Sequence, residues 1–304
     1  MEIPAKTILI TGATSGLGQC AASKFLKQGH TVIMTGRDES KLQQAKHWIQ
    51  HHASSLNKLF TVVMDQDNVD SLKQAVATLK SMDLGQLDIV IHNAGGLQAE
   101  RETIQHVEKT IFVNAVAPWY LTLQLIPLMK EQGRILFVTS SLHDPDAHGG
   151  GKDKEDKVDV MLRNPDFDNL DGHVWWESMP FYRISKLAQL WLMYLLAERY
   201  PHLSINAFCP GFVPTTLLNR HSSLPIRLLM RHVLSWMSFA TSEDDAADSY
   251  VYYATVDQFN KMTGKYLKKK QVTESSKASK DMAKARQFWN IACDICQLSH
   301  HRLE

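Results

Sequence analysis

From residue 6 to residue 139 the sequence alternates short apolar runs with longer segments of helical period, and this order does most to narrow the fold. Strands are expected at 6–11, 31–35, 60–64, 87–92 and 134–139, with helices at 17–28, 41–51, 69–82 and 103–129 between them. The apolar runs lack clean alternation with polar residues, as happens where helices cover both faces of a parallel sheet. Repetition of this kind builds a doubly wound α/β fold. After an interruption the order resumes, with a helix at 181–200, a strand at 203–208, helices around 224–239 and 244–254, a short strand near 265–267 and a last helix from about 280 to 298. A chain of 304 residues can bury one large α/β core. The reading is a single domain over 1–304, with a surface insertion at about 142–181 and a helical C-terminal extension at about 270–304.

The formal charge of +1 and hydrophobic fraction of 44% give no electrostatic ground for nucleic acid or an acidic partner, which points to a small-molecule ligand. Cys20, Cys209, Cys293 and Cys296 are too few and too uneven for a disulfide framework and suggest a reducing compartment. Cys293 and Cys296 form a CxxC with no second pair to complete a zinc site, so they read as small apolar residues on a helix. The histidines include no HExxH, and the pairs His51-His52 and His300-His301 read as exposed polar positions, so no metal is expected. The N-terminal MEIPAKTILITG enters a strand without the layout of a signal peptide, and no run of about eighteen uncharged apolar residues is present to span a bilayer. A soluble, cytoplasmic protein is expected.

Between 142 and 181 the pattern lapses. DPDAHGGGKDKEDK reads as a surface excursion, whereas NPDFDNLDGHVWWESMP carries Phe167, Trp175 and Trp176 and is expected to fold back over the domain.

The first strand leads into TGATSGLG, which places Gly12, Thr14, Ser15, Gly16, Leu17 and Gly18 at the mouth of the first helix. Glycines there allow a tight turn and close approach of backbone to a pyrophosphate at the positive end of the helix dipole. A lone glycine motif is an ordinary turn as often as a site, but first strand and first helix is where a Rossmann-type dinucleotide fold needs it. At the end of the second strand Arg37 stands where NAD sites carry an acid for the ribose 2′-hydroxyl. Its planar fork suits a 2′-phosphate instead, so NADP is favoured over NAD. Asp65 and Gln66 follow the third strand, within reach of an adenine edge, although an acid there also serves as a helix cap.

In YRISK, Tyr182 and Lys186 lie one turn apart on one helical face. A phenol has a pKa of about 10, and a neighbouring ammonium favours phenolate and tunes the group for proton transfer. Alone the pair reads equally as a core-edge tyrosine and a solvated lysine.

These motifs together resemble the classical short-chain dehydrogenase/reductase superfamily over residue 6 to about 267. TGxxxGxG matches the classical glycine spacing. Asn93, Ala94 and Gly95 match its NNAG turn, with His92 in place of the first asparagine. The resemblance implies that Asn114 is the helix-borne asparagine whose backbone helps hold a relay water, and that Ser141 is the catalytic serine with Ser140 structural, subject to strand register. Tyr182 and Lys186 complete that tetrad, and Pro210, Gly211, Val213 and Thr215 of CPGFVPT flank the nicotinamide. Ser141 and Tyr182 lie much further apart than in compact members, a layout similar to the retinol-dehydrogenase-like and protochlorophyllide-reductase-like branches, which tend towards large apolar substrates.

The resemblance implies an NADPH-dependent carbonyl reductase or alcohol dehydrogenase. Ser141 would polarise the oxygen, Tyr182 would protonate it, and Lys186 would tune the tyrosine and bond the nicotinamide ribose. Reduction of a carbon–carbon double bond and non-catalytic NADP sensing are the alternatives. Within LPIRLLMRHVLSWMSF, Leu228, Leu229, Val233, Trp236 and Met237 form an apolar face opposite Arg227 and Arg231, read first as a substrate lid, then as a packed helix, and last as a membrane-surface helix. Monomer and homodimer both remain open.

Overall fold

A computed structural model of the chain describes residues 4–52, 58–146, 158–214 and 240–303. The first half runs β1 (Thr7–Ile10), α1 (Gly16–Lys27), β2 (Thr31–Gly36), α2 (Glu39–His52), β3 (Leu59–Val63), α3 (Val69–Ser81) and β4 (Leu87–His92). Each of these elements lies within a few residues of its expected position.

The stretch expected as one helix over 103–129 differs. A small hairpin, β5 (Thr103–Ile104) and β6 (Val107–Glu108), turns through Gln105 and His106 at φ +50° and +66°. Helix α4 (Lys109–Leu128) starts only after it. The buried Glu108 carboxylate caps α4 by accepting from Thr110 N at 2.8 Å and Ile111 N at 3.2 Å. Strand β7 (Met129–Val138) then begins at residue 129 rather than 134, after Pro127 in the 3₁₀ turn Ile126–Leu128. By length and composition α4 could cross a membrane, yet Trp119, Leu121 and Leu125 on it are fully buried in the protein core.

The second half contains α5 (Val158–Arg163), α6 (Ser178–Arg199), β8 (Ser204–Cys209), α7 (Glu243–Thr255), β9 (Lys265–Lys268), β10 (Gln271–Thr273) and α8 (Met282–Ile295). Helix α5 and the edge strand β10 are additions to the expected pattern. The expected helix at 224–239 and all but the first three residues of the excursion at 144–157 lie outside the described residues.

One eight-stranded sheet has the order β10-β9-β8-β7-β4-β1-β2-β3, parallel throughout except for the antiparallel β10–β9 pair. Register is explicit at its centre, where Ile8 lies between Val32 and Ile89. Alternate strand residues feed two cores. Leu9, Ile33, Val90 and Ile135 pack with α3, α4, α6 and α8, whereas Ile8, Ile10, Val32 and Ile89 pack with α1, α2 and α7. Helices on both faces are why the strands read as continuous apolar runs. The chain reverses direction across the sheet between β1 and β4, which opens a crevice at their carboxyl ends.

The later part of the insertion folds back as expected. Phe167 lies 6.1 Å from Trp191 and 6.3 Å from Phe288, and Trp176 Nε1 donates to Glu108 Oε1 at 3.1 Å. Trp289 of α8 meets Trp119 edge-on at 5.0 Å, and Cys293 and Cys296 are free and buried in that helix.

Candidate active site

At the crevice Gly12 and Gly16 take φ +65° and +54°, the left-handed region open to glycine. A Cβ on Gly12 would come within 2.7 Å of Ala94 Cβ, and one on Gly18 within 2.5 Å of Asn93 Nδ2, so the turn has no room for side chains on its inner side. A Cβ on Gly16 would meet nothing within 4 Å, because that glycine borders a cavity of about 850 Å³.

The residues after β4 brace this turn. Asn93 Nδ2 donates to Thr11 O at 2.8 Å and Gly12 O at 3.0 Å, and its Oδ1 accepts from Tyr250 OH at 2.7 Å. Asn93, Ala94 and Gly95 line the cavity as expected, but the Asn93 amide is spent on shaping the cradle. Tyr250, on α7, was not legible in the sequence as part of this clamp.

At the far end the cavity is lined by Arg37 and Lys41, by Asp65, Gln66 and Asp67, and by Lys109. Asp38 is also there, but it turns a carboxylate oxygen to Lys41 N at 3.1 Å. Lys109 Nζ pairs with Asp67 at 3.0 Å and with Glu102 at 2.9 Å. Burial and a hydrogen bond with Asp67 push the Asp65 carboxyl upward. Gln66 is buried with neither amide atom hydrogen-bonded within the protein. A glycine turn that a Cβ would fill, opening on this cavity at the mouth of α1, fits the phosphates of a dinucleotide. Lys41 and Lys109 were missed by sequence reasoning. Only Lys41 carried a signal, four residues beyond Arg37 at the start of a helix.

The other end of the cavity gathers Ser140, Ser141, Tyr182, Lys186, Pro210, Gly211 and Val213, whereas Thr215 lies outside the described residues. Ser140 is the serine whose hydroxyl acts on the Tyr182 phenol, and both Ser140 and Ser141 line the cavity beside it. Ser140 Oγ also accepts from Leu142 N at 3.2 Å and so caps the 3₁₀ turn Ser141–His143. Burial raises the Tyr182 pKa above the ordinary tyrosine range, and the Ser140 hydroxyl opposes that only in part. Lys186 Nζ lies 5.7 Å from the Tyr182 ring centroid and donates to Val138 O at 3.0 Å. Burial lowers its pKa to about 8. Desolvation therefore sets the direction of the phenol's shift in the free protein, raised rather than lowered.

Asn114 lies in a π turn, Phe112–Val116, within α4. Its Oδ1 accepts from Gly96 N at 2.8 Å, and its Nδ2 donates to Gly96 O at 2.9 Å and Ser185 Oγ at 2.8 Å. Pro118, four residues on, has no N–H for the Asn114 carbonyl. Gln189 Nε2 reaches that carbonyl at 2.9 Å instead, so the group expected to hold a relay water already has a protein partner.

Comparison with known proteins agrees with this architecture. The profile of the short chain dehydrogenase family matches residues 6–148. The short chain dehydrogenase atnD of Emericella nidulans is 32% identical over 86% of this chain and 83% of its own length. Retinol dehydrogenase 14 of Homo sapiens is 27% identical over 94% of this chain and 85% of its own. A solved structure of a short chain dehydrogenase from Shigella flexneri 2a complexed with NADP has a TM-score of 0.63 at 22% identity, covering 88% of this chain and 98% of its own. The chain belongs to the short-chain dehydrogenase/reductase family. It is an oxidoreductase acting on CH–OH or C=O groups with a nicotinamide dinucleotide, similar to the retinol-dehydrogenase-like branch.

Proposed function

We propose that the protein is an NADPH-dependent reductase of apolar aldehydes or ketones in which Tyr182 is the proton donor. The observation carrying this reading is that Tyr182, Lys186 and the serines Ser140 and Ser141 line one end of the cavity whose other end is the glycine cradle. When bound, the dinucleotide supplies a hydride to the carbonyl carbon. Ser140 donates a hydrogen bond to the substrate oxygen as negative charge grows there. Tyr182, kept protonated at neutral pH by burial, transfers its proton to that oxygen. Lys186 keeps its charge at neutral pH, favours the phenolate left behind, and loses that charge as pH rises through about 8. A protonated acid at rest favours the reductive direction.

Arg37 and Lys41 give the adenosine end two cations, which supports preference for a 2′-phosphate. The Asp38 carboxylate, by contrast, is turned towards the first turn of α2. Leu142, Met179, Phe212 and Val213 line the substrate end, in keeping with an apolar substrate and with the relative named a retinol dehydrogenase. Helices α4 and α6 are covered on their outer side by α8 and the insertion, which supports a single-domain monomer rather than a dimer built on those helices.

The test is NADPH oxidation with decanal, cyclohexanone, all-trans-retinal and a 3-ketosteroid. Turnover is expected for at least one, with Tyr182→Phe lowering it by about 10³-fold. Equal rates in the two proteins would refute the assignment. Arg37→Ala is expected to raise Kd for NADPH about tenfold or more while leaving NADH within about twofold. Equal loss for both would remove the 2′-phosphate contact.

A further inference from the structure

The turn carrying Ser140 is held mostly from outside. Arg183 donates to Leu142 O at 3.0 Å and to Asp144 O at 2.9 Å. The Ser140 carbonyl is bonded by His143 Nδ1 at 2.6 Å. His143 is 2% exposed, and its ring lies edge-on to Tyr266 of β9 at 5.1 Å. Its second nitrogen, Nε2, accepts from Ser276 N at 3.1 Å. A carbonyl only accepts and a backbone N–H only donates, so the imidazole is neutral with its proton on Nδ1.

Ser276 belongs to a knotted turn beyond β10. Ser279 Oγ donates to Ser276 O at 2.7 Å, Ser279 N donates to Ser276 Oγ at 3.2 Å, and the Ser275 and Ser279 hydroxyls meet at 2.6 Å. Two side chains of α6 hold this turn, Tyr194 OH against Ser275 Oγ at 2.6 Å and Trp191 Nε1 donating to Ala278 O at 2.9 Å. A closed circuit therefore runs from Ser140 through His143 to the serine turn and back along α6 to Tyr182. A ring that merely filled the gap beside Tyr266 would need neither nitrogen bonded in this way.

We propose that His143 is the positioning residue of the Ser140 hydroxyl, coupling the turn after β7 to the Ser275–Ser279 turn so that the distance between Ser140 and Tyr182 is set from the C-terminal extension. This rests on the roles given above to Ser140 and Tyr182. Misplacing a hydroxyl by a fraction of an ångström lowers the chemical step without weakening nucleotide binding.

The test compares His143→Phe with His143→Asn, reading kcat and KM for decanal and all-trans-retinal, and the Kd of NADPH by fluorescence quenching. Phenylalanine keeps the ring and removes both hydrogen bonds. Asparagine keeps a donor where Nδ1 stood. His143→Phe is expected to lower kcat about tenfold or more with the NADPH Kd unchanged, and His143→Asn to stay within about threefold of the parent. If His143→Phe does not fold, Ser279→Ala loosens the serine turn without touching the cavity and is expected to lower kcat about threefold. An unchanged kcat in His143→Phe, or equal loss in the phenylalanine and asparagine variants, overturns the proposal. Failure of the catalytic reading looks different, because Tyr182→Phe would then retain activity, whereas failure of the coupling leaves Tyr182→Phe inactive beside an active His143→Phe.

Discussion

Ser140 ends the extended run that leaves β7, at φ −137° and ψ 148°, and its neighbour turns away into a 3₁₀ turn. Side chains of an extended chain alternate in direction, so one residue decides which hydroxyl meets the phenol. Ser140→Ala is expected to lower kcat by about 10²-fold and Ser141→Ala by less than about threefold, read as NADPH oxidation with the carbonyl panel. The reverse order would restore Ser141 to the role first expected of it. The sequence could not resolve this, since TSS offers adjacent hydroxyls and the register comes from pairing such as Val138 with Phe208. The Tyr182–Lys186 pair was legible from spacing alone, but the direction of its pKa shifts was not. That depends on burial by the surrounding core, which no local spacing reports.

Helix α4 shows how an element acquires boundaries that periodicity does not predict. The apolar pattern over 103–129 is continuous enough for one helix, but the hairpin β5–β6 takes the first residues, and Glu108 converts its end into a cap. That carboxylate accepts from two backbone N–H groups of α4, from Thr110 Oγ1 at 2.9 Å and from Trp176 Nε1 at 3.1 Å. It therefore fastens the insertion to the start of the helix that carries Asn114. Burial pushes the Glu108 carboxyl upward while these bonds hold it down. Glu108→Ala strands several buried donors and removes the cap. It is expected to cost on the order of 3 kcal/mol by urea unfolding, and a loss within experimental error would show that the insertion is held by its aromatic packing alone. The π turn in the same helix follows a similar logic, with a proline at 118 and a glutamine from α6 meeting the freed carbonyl.

At the scale of the whole molecule, the sheet joins two cores, and His92 sits where the sheet meets α4. Its ring stacks on Phe137 at 4.7 Å, and its Nε2 lies 2.8 Å from Thr122 Oγ1. The threonine hydroxyl donates to Pro118 O at 2.8 Å, so Nε2 is the donor in that pair. Burial lowers its pKa from 6.5 to about 3. Because the unfolded chain takes up a proton that the folded chain refuses, this group's contribution to stability is complete above 6.5 and is lost as pH falls towards 3. His92→Asn is therefore expected to flatten the fall in Tm between pH 6.5 and about 4, measured by thermal unfolding in matched buffers. Parallel curves for the two proteins would mean that other groups govern the acid transition.

The sequence by itself determined the doubly wound sheet, the glycine cradle at its first crossover, and the tyrosine and lysine one helical turn apart. Those features are written in local order and short spacings, which a chain carries with it before it folds. Tertiary structure alone decided that both serines after β7 reach the cavity that holds the phenol, that the Asn93 and Asn114 amides are consumed as braces, and that Lys41, Lys109 and Tyr250 join the cavity. Each of those outcomes depends on which groups distant in the chain arrive at one place, and on how much water their arrival removes.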